Sequence, residues 1–266
     1  MRSLSRLCVG FSFALLCVAQ TTVAQPAPTV QWRQIEAGLD VGRYEVTSRA
    51  SVLKSQVVLL RVDPARFAFR SVYAPDLGAQ RTDVRSMAER IGGLAAINAN
   101  YFDPNGNALG VVVASGVLKQ KVHEGGRALT GVFQQRFDGT VQIVHRGEFD
   151  KAGVSVAVQA GPRLVVAGKS VAMESMQGSS RRSGIALTRD RRVIVFATLL
   201  RFPGATFEEI QRMLLLPELG IVEALNFDGG GSSQLYVARG ESSDEDLFVG
   251  GGDLVPVGLV VVRKAR

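Results

Sequence analysis

Beyond its first two dozen residues, the chain is divided into short apolar runs of strand length, separated by Gly, Pro, Asn and Asp. The runs Gln56–Val62, Arg66–Val72, Leu94–Asn98, Gly110–Ala114, Thr140–His145 and Arg192–Thr198 are rich in Val, Ile and Phe. Val222–Phe227, Gln234–Ala238 and Gly258–Arg263 continue the series. Branched and aromatic residues suit a pleated surface and turn residues bound each run, so these are predicted strands. Two stretches carry a helical period instead. Val84, Met87, Ala88 and Ile91 share one face, with Thr82 as the expected cap and Gly92-Gly93 as the stop. Thr206-Phe207-Glu208-Glu209 is a capping box, in which the first and last side chains can each bond the other's backbone N–H. It opens a second helix that stops near Pro217.

Each helix runs directly into a strand, LAAIN and VEALNF, which places Asn98 and Asp228 at equivalent strand ends. Strands outnumber helices. The expected architecture is α+β, a single domain with a large mixed β-sheet and a few packed helices. Residues 1–24 read as a secretory signal, with Arg2 and Arg6 ahead of an apolar stretch and a small-residue cleavage site at Thr22-Val23-Ala24. Residues 25–40 form an N-terminal leader with a Pro-rich start at Gln25–Thr29, and 41–266 form the domain itself.

Composition narrows the chemistry. Both cysteines, Cys8 and Cys17, lie in the signal, so the mature chain has neither disulfides nor thiolate chemistry. No later apolar run approaches the roughly 20 residues of a membrane helix, so stable membrane insertion is not expected. Removing Arg2 and Arg6 from the 31 basic residues leaves 29 against 24 acidic ones, a net of +5. That excess suits anionic ligands but is spread along the chain. One Trp, no aromatic-interleaved basic stripe and no zinc-finger spacing argue against nucleic acid. The expected location is periplasmic or secreted.

Three polar clusters are candidates for chemistry, and Gln159-Ala160-Gly161-Pro162-Arg163 is a fourth, where Gly-Pro most simply marks a turn. LNFDGGGSSQLY (Leu225–Tyr236) sets Asp228 at the end of an apolar run, followed by Gly229, Gly230, Gly231, Ser232 and Ser233. Glycine backbone approaches a ligand closely and its N–H groups can wrap an anion, although a tight turn explains the same residues. INANYFDPNGNALG (Ile97–Gly110) holds Asn98 and Asn100 two apart, on one face of an extended strand. Its Asp103-Pro104-Asn105-Gly106-Asn107 segment reads as a turn. The alternative is a calcium loop, but Ala108 and Ala114 occupy the positions where such a loop has glycine and a bidentate glutamate. SSRRSGIALTRD (Ser179–Asp190) offers Arg181 and Arg182, either a solvated pair or one guanidinium aimed into a cleft. Two isolated histidines, His123 and His145, are too few for a dinuclear metal centre, and no G-x-S-x-G element marks a serine hydrolase.

Taken in order, INANYF, QAGPRLV, RRSGIALTRD and NFDGGGSSQLY resemble the phosphodiester glycosidase family over roughly Ser86 to Val262. Asn98 matches the asparagine of the family's Asn-Gly-x-Phe-Phe element, with Ala99 and Asn100 in place of its glycines. Arg182 and Ser183 match its Arg-Thr/Ser pair, and Asp228 to Ser232 match its glycine-rich acid motif. The C-terminal part departs from the pattern. Val255-Pro256-Val257-Gly258 lacks the family's arginine and asparagine, and an acidic Glu241–Asp246 loop precedes it.

The resemblance implies hydrolysis of a sugar-1-phosphodiester to free sugar and a phosphomonoester. Phosphate is a weak base, so its departure calls for electrostatic stabilisation more than a strong acid. Arg182, with backbone N–H groups of Gly229, Gly230 and Gly231, is assigned to the phosphate. Asp228 either stabilises the oxocarbenium-like centre or activates water. Asn98 and Ser232 are assigned to sugar hydroxyls or phosphate oxygens, with Ser183 and Asn100 also substrate-binding. Calcium is the metal that oxygen donors of this kind would suit. The rival expectation is a non-catalytic binder of phosphorylated or anionic glycans on the same scaffold.

Overall fold

The structure, a computed structural model, describes residues 29–46, 54–126, 128–173, 178–199, 204–240 and 245–264. The secretory signal and the Pro-rich start of the leader, through residue 28, lie outside the described residues. In chain order the strands begin with β1 (Gln31–Glu36), β2 (Leu39–Val46), β3 (Ser55–Val62), β4 (Phe67–Tyr73), β5 (Ala95–Asn98) and β6 (Val112–Ala114). Next come β7 (Val117–Gln120), β8 (Gly131–Arg136), β9 (Val141–His145), β10 (Val154–Ala160), β11 (Arg163–Val166) and β12 (Lys169–Ser170). The last six are β13 (Ser183–Thr188), β14 (Val193–Thr198), β15 (Ile221–Asn226), β16 (Leu235–Val237), β17 (Leu247–Val249) and β18 (Val257–Arg263). Helix α1 spans Val84–Arg90 and α2 spans Phe207–Leu214.

These strands form three sheets, ordered β1-β2-β3-β14-β13-β15-β11-β12, β7-β6-β10-β8-β9 and β17-β16-β5-β18-β4. The α+β class is as expected. The strands divide among three sheets, however, and every pairing between these strands is antiparallel. The helix that leads from β14 into β15 would make a parallel crossover if those strands were neighbours. Instead β13 lies between them and pairs antiparallel with both.

Strand β3 shows why the apolar runs are continuous. Val58, Leu60 and Val62 enter the central core, which also takes Phe69 of β4 and Phe133 of β8. Val57 and Leu59 face the other way and pack in the cluster that holds Phe207, Ile210 and Met213 of α2. Both faces are covered, so polar alternation is absent. On the sheet containing β5, α1 lays Val84, Met87 and Ala88 against Ala96 and Val260.

Two local expectations change. Residues 31–40, assigned to the leader, form β1 and the start of β2 in the largest sheet. β1 is an edge strand, largely exposed, and its Gln31, Arg33 and Gln34 give no apolar run to read. Helix α1 is capped by Asp83 rather than Thr82. The Asp83 carboxylate accepts the Ser86 N–H at 2.8 Å, while the Thr82 backbone exchanges hydrogen bonds with Val255 at 3.0 and 2.9 Å. The second capping box forms as expected, with Thr206 Oγ1 accepting from Glu209 and Glu209 accepting from the Thr206 N–H.

Candidate active site

The ends of β5 and β15, in different sheets, meet at Asp228. Its N–H donates to the Ala99 carbonyl at 3.0 Å. Its carbonyl accepts from Asn98 Nδ2 at 2.7 Å and from Ser183 Oγ at 2.8 Å. Asn98 Oδ1 in turn accepts the Gln234 N–H at 3.0 Å, and the Ser183 carbonyl accepts the Phe227 N–H at 2.8 Å. Asn98 and Ser183 are both fully buried. Their side chains therefore fix the backbone on either side of the glycine loop. Both residues, expected at the substrate, donate to the Asp228 carbonyl, and Asn98 also accepts from Gln234.

Gly230–Ser232 forms a single 3-10 turn, and Gly230 has φ +61°, a left-handed conformation that favours glycine. The Gly230 N–H donates to the Arg181 carbonyl at 3.0 Å, and the Gly229 backbone lowers the Asp228 pKa. Of the three N–H groups expected to wrap an anion, that of Gly230 is thus engaged by Arg181. Ser232 likewise favours the ionised form of Asp228.

The two arginines separate into distinct roles. Arg181 is buried and holds the loop from behind, donating to the carbonyls of Gly230 at 3.0 Å, Gly231 at 3.4 Å and Gly250. Arg182 is half-buried on the other side. Its Nε donates to the Ala205 carbonyl at 3.0 Å and its Nη2 to the Gly178 carbonyl at 2.5 Å. The guanidinium lies 3.9 Å from the centroid of Phe207, the first residue of α2. The capping box of α2 thereby orders the turn that positions Arg182. Its remaining Nη1 lies 3.9 Å from where a Cβ on Gly229 would be. Burial lowers the Arg182 pKa, and the nearby Tyr101 opposes that.

Tyr101 was not anticipated as a site residue. Its hydroxyl donates to the Gly161 carbonyl at 2.8 Å and accepts from Asn226 Nδ2 at 3.1 Å. Burial holds its pKa well above the ordinary phenolic value, the Asp228 charge adds to this, and Arg182 and the Asn226 bond oppose it. Tyr101 therefore lies within electrostatic reach of both the acid and the arginine. Its signal in the sequence was only its place in INANYF, three residues after Asn98.

Asp228 itself is the most perturbed acid. Burial is the largest cause and pushes its pKa up to about 6. The Ser232 and Gly229 bonds pull it down and the Asp253 charge raises it again. A carboxylate so placed is mostly ionised at neutral pH yet a stronger base than an exposed one, which suits proton abstraction from water.

Other candidates lie apart from this group. Asn100 is buried and its Nδ2 is directed to the carbonyls of Leu109, Gly110 and Val111 at 3.2, 3.5 and 3.2 Å. It shapes the following loop. The Asp103 carboxylate accepts from the Asn107 N–H at 2.8 Å and from its side-chain amide at 3.0 Å, which makes the segment a turn. These bonds direct both Asp103 oxygens to its own loop, so the segment does not fit a calcium site. Among the described residues no group of three or more His, Cys, Asp or Glu could hold a metal ion. Of the acidic Glu241–Asp246 loop, residues 245–246 are described; Asp246 accepts from Tyr236 Oη at 3.2 Å and the Arg239 N–H at 2.8 Å.

Asn98, Arg182, Ser183 and Asp228 all fall within residues 92–262, which match a family model described as phosphodiester glycosidase. The chain belongs to the phosphodiester glycosidase family. Its fold is shared with the catalytic domain of zebrafish N-acetylglucosamine-1-phosphodiester alpha-N-acetylglucosaminidase, whose structure is auto-inhibited by its pro-peptide. Identity is 17% and the TM-score 0.66, over 89% of this chain and 88% of that one. A hypothetical protein from Synechocystis is 18% identical with a TM-score of 0.64. That alignment covers 90% of this chain, which spans 64% of the Synechocystis protein. A putative exported protein from Burkholderia pseudomallei is 15% identical, with a TM-score of 0.55, over 79% of this chain and 74% of that one. No curated protein matches the sequence. Among the described residues, no helix is long and apolar enough to cross a membrane.

Proposed function

We propose that the protein is an exported hydrolase that cleaves the glycosidic bond of a sugar-1-phosphodiester, giving free sugar and a phosphomonoester. The observation that carries this reading is Asp228, a half-buried carboxylate with a pKa raised to about 6, held through its backbone beside a glycine loop and an arginine. Family membership supplies the reaction class. The export step is supported by the N-terminal signal pattern.

In this proposal the diester phosphate sits against Arg182, on the side of Nη1. The charge that develops on the departing phosphate is stabilised there by a fixed guanidinium, with no reorganisation during the reaction. With the Gly230 N–H engaged by Arg181, the N–H groups of Gly229 and Gly231 are assigned to the phosphate. Water attacks the anomeric carbon, the carbon–oxygen bond to phosphate breaks with its electron pair going to phosphate, and Asp228 takes the proton from water. Asn98 and Ser183 hold the Asp228 backbone in place throughout. Asn98 is therefore a positioning residue in this scheme.

The test is to incubate the mature protein with an α-linked N-acetylglucosamine-1-phosphate methyl diester and separate the products. Free sugar with methyl phosphate supports the proposal. Sugar phosphate with methanol would mean a phosphodiesterase, and saturable binding without turnover would mean a glycan-binding protein.

A further inference from the structure

The sequence contains a second triglycine beside an aspartate, Gly250-Gly251-Gly252-Asp253, in the reverse order of Asp228-Gly229-Gly230-Gly231. The fold brings the two into contact. The Asp253 N–H donates to the Gly231 carbonyl at 3.2 Å. Arg181 donates to Gly230 and Gly231 in the first loop and to Gly250 in the second. Gln234, itself bonded to Asn98, donates its Nε2 to the Asp253 carbonyl at 2.6 Å. There is no room for side chains between the loops. A Cβ on Gly251 would lie 1.6 Å from the Gly231 carbonyl oxygen, and one on Gly231 would lie 2.0 Å from Asp253 Oδ2.

Asp253 is thus anchored through its backbone, and its exposed carboxylate lies directly against Gly231. It forms no ion pair among the described residues. Ser232, Gly229 and Asp253 act on the Asp228 charge, which in turn acts on Tyr101; Arg181 donates to the Gly230 and Gly231 carbonyls, and Arg182 Nη1 lies near Gly229. Glycosidic hydrolysis ordinarily uses two carboxyl groups at the reacting centre. Asp228 supplies one. Asp253 lies in the part of the chain that departs from the family pattern, three residues before Pro256.

We infer that Asp253 is the second carboxylate of the reacting centre, accepting one hydrogen of the attacking water while Asp228 takes the other as a proton. This rests on the proposed function above. In the step, the water oxygen forms a bond to the anomeric carbon and the bond from that carbon to the phosphate oxygen breaks. The electron pair leaves with phosphate, one water proton ends on Asp228, and the other stays on the new sugar hydroxyl. Asp253 gains and loses nothing covalently; it orients the water.

Asp253→Asn keeps the backbone anchors and the side-chain shape while removing the charge. On the methyl diester, kcat should fall about tenfold or more with KM little changed, as expected for a group acting on the transition state. The acid limb of the rate profile should also move to lower pH, because a neighbouring negative charge is removed. Gly231→Ala offers a second route, since its Cβ must displace the Asp253 carboxylate. Its loss and that of Asp253→Asn should fail to add in the double variant. A substrate-free readout is the carbon NMR titration of the Asp228 carboxyl, whose midpoint should drop in Asp253→Asn. An unmoved midpoint, or a kcat within about twofold of wild type, overturns the inference. If Asp228→Asn is fully active as well, the proposed function fails, which separates the two.

Discussion

Replacing Asp228 by Asn should make the protein more stable and inactive at once. Folding raises the Asp228 pKa from 3.8 to about 6, chiefly by burial. A carboxylate with a raised folded-state pKa leaves stability untouched below its unfolded value and removes it progressively as pH climbs through the folded value. The window here therefore runs from 3.8 to about 6, and above it the ionised group costs about 3 kcal/mol. Asn keeps the shape and a polar oxygen but carries no charge. Some of the gain is lost to the changed hydrogen bonds, so a net stabilisation of about 1–3 kcal/mol is expected near neutral pH. Urea denaturation of the two proteins at neutral pH and near pH 4 measures it, and the difference should nearly vanish at the acid end. Turnover should drop by about a hundredfold or more. Equal stability at both pH values would show that Asp228 is not held against a desolvation penalty, and the argument for a poised base would fall.

Asn98→Ala should cost about 2–3 kcal/mol, because the buried Gln234 N–H loses its Asn98 acceptor and the Asp228 carbonyl loses its Asn98 donor. A loss under about 0.5 kcal/mol by urea denaturation would contradict the clamp. Arg182→Lys keeps the charge but not the planar fork, so kcat/KM on the methyl diester should fall about tenfold or more; an unchanged value removes Arg182 from the phosphate. Tyr101→Phe deletes the hydroxyl that joins Gly161 to Asn226 and should cost about 1 kcal/mol of stability. Wild-type turnover in that variant would confine Tyr101 to a packing role.

The residues legible in the sequence were those whose roles follow from local pattern. The apolar runs located the core strands, and Thr206 to Glu209 announced α2 because a capping box is set by neighbours three apart. Asp228 stood out because an acid followed by three glycines is unusual. What was hidden depends on chain segments distant in sequence. Asn98 and Asp228 are 130 residues apart, and nothing local says that the amide of one binds the carbonyl of the other. The same holds for Arg181, adjacent to Arg182 yet braced against Gly250, and for Asp253, whose meaning depends on contact with Gly231. Edge strand β1 escaped notice because its exposed side chains are polar. The division into three antiparallel sheets is a matter of strand order, which hydrophobic pattern does not encode.

The central claim is that the bond broken joins the sugar carbon to the phosphate oxygen. Hydrolysis of the α-linked sugar-1-phosphodiester in heavy-oxygen water tests it directly, with mass spectrometry of both products. Attack at the anomeric carbon, with Asp228 as base and phosphate departing against Arg182, places the label in the free sugar and none in the phosphomonoester. Label found in the phosphate would mean attack at phosphorus, and the account of this site as a glycosidase would be contradicted.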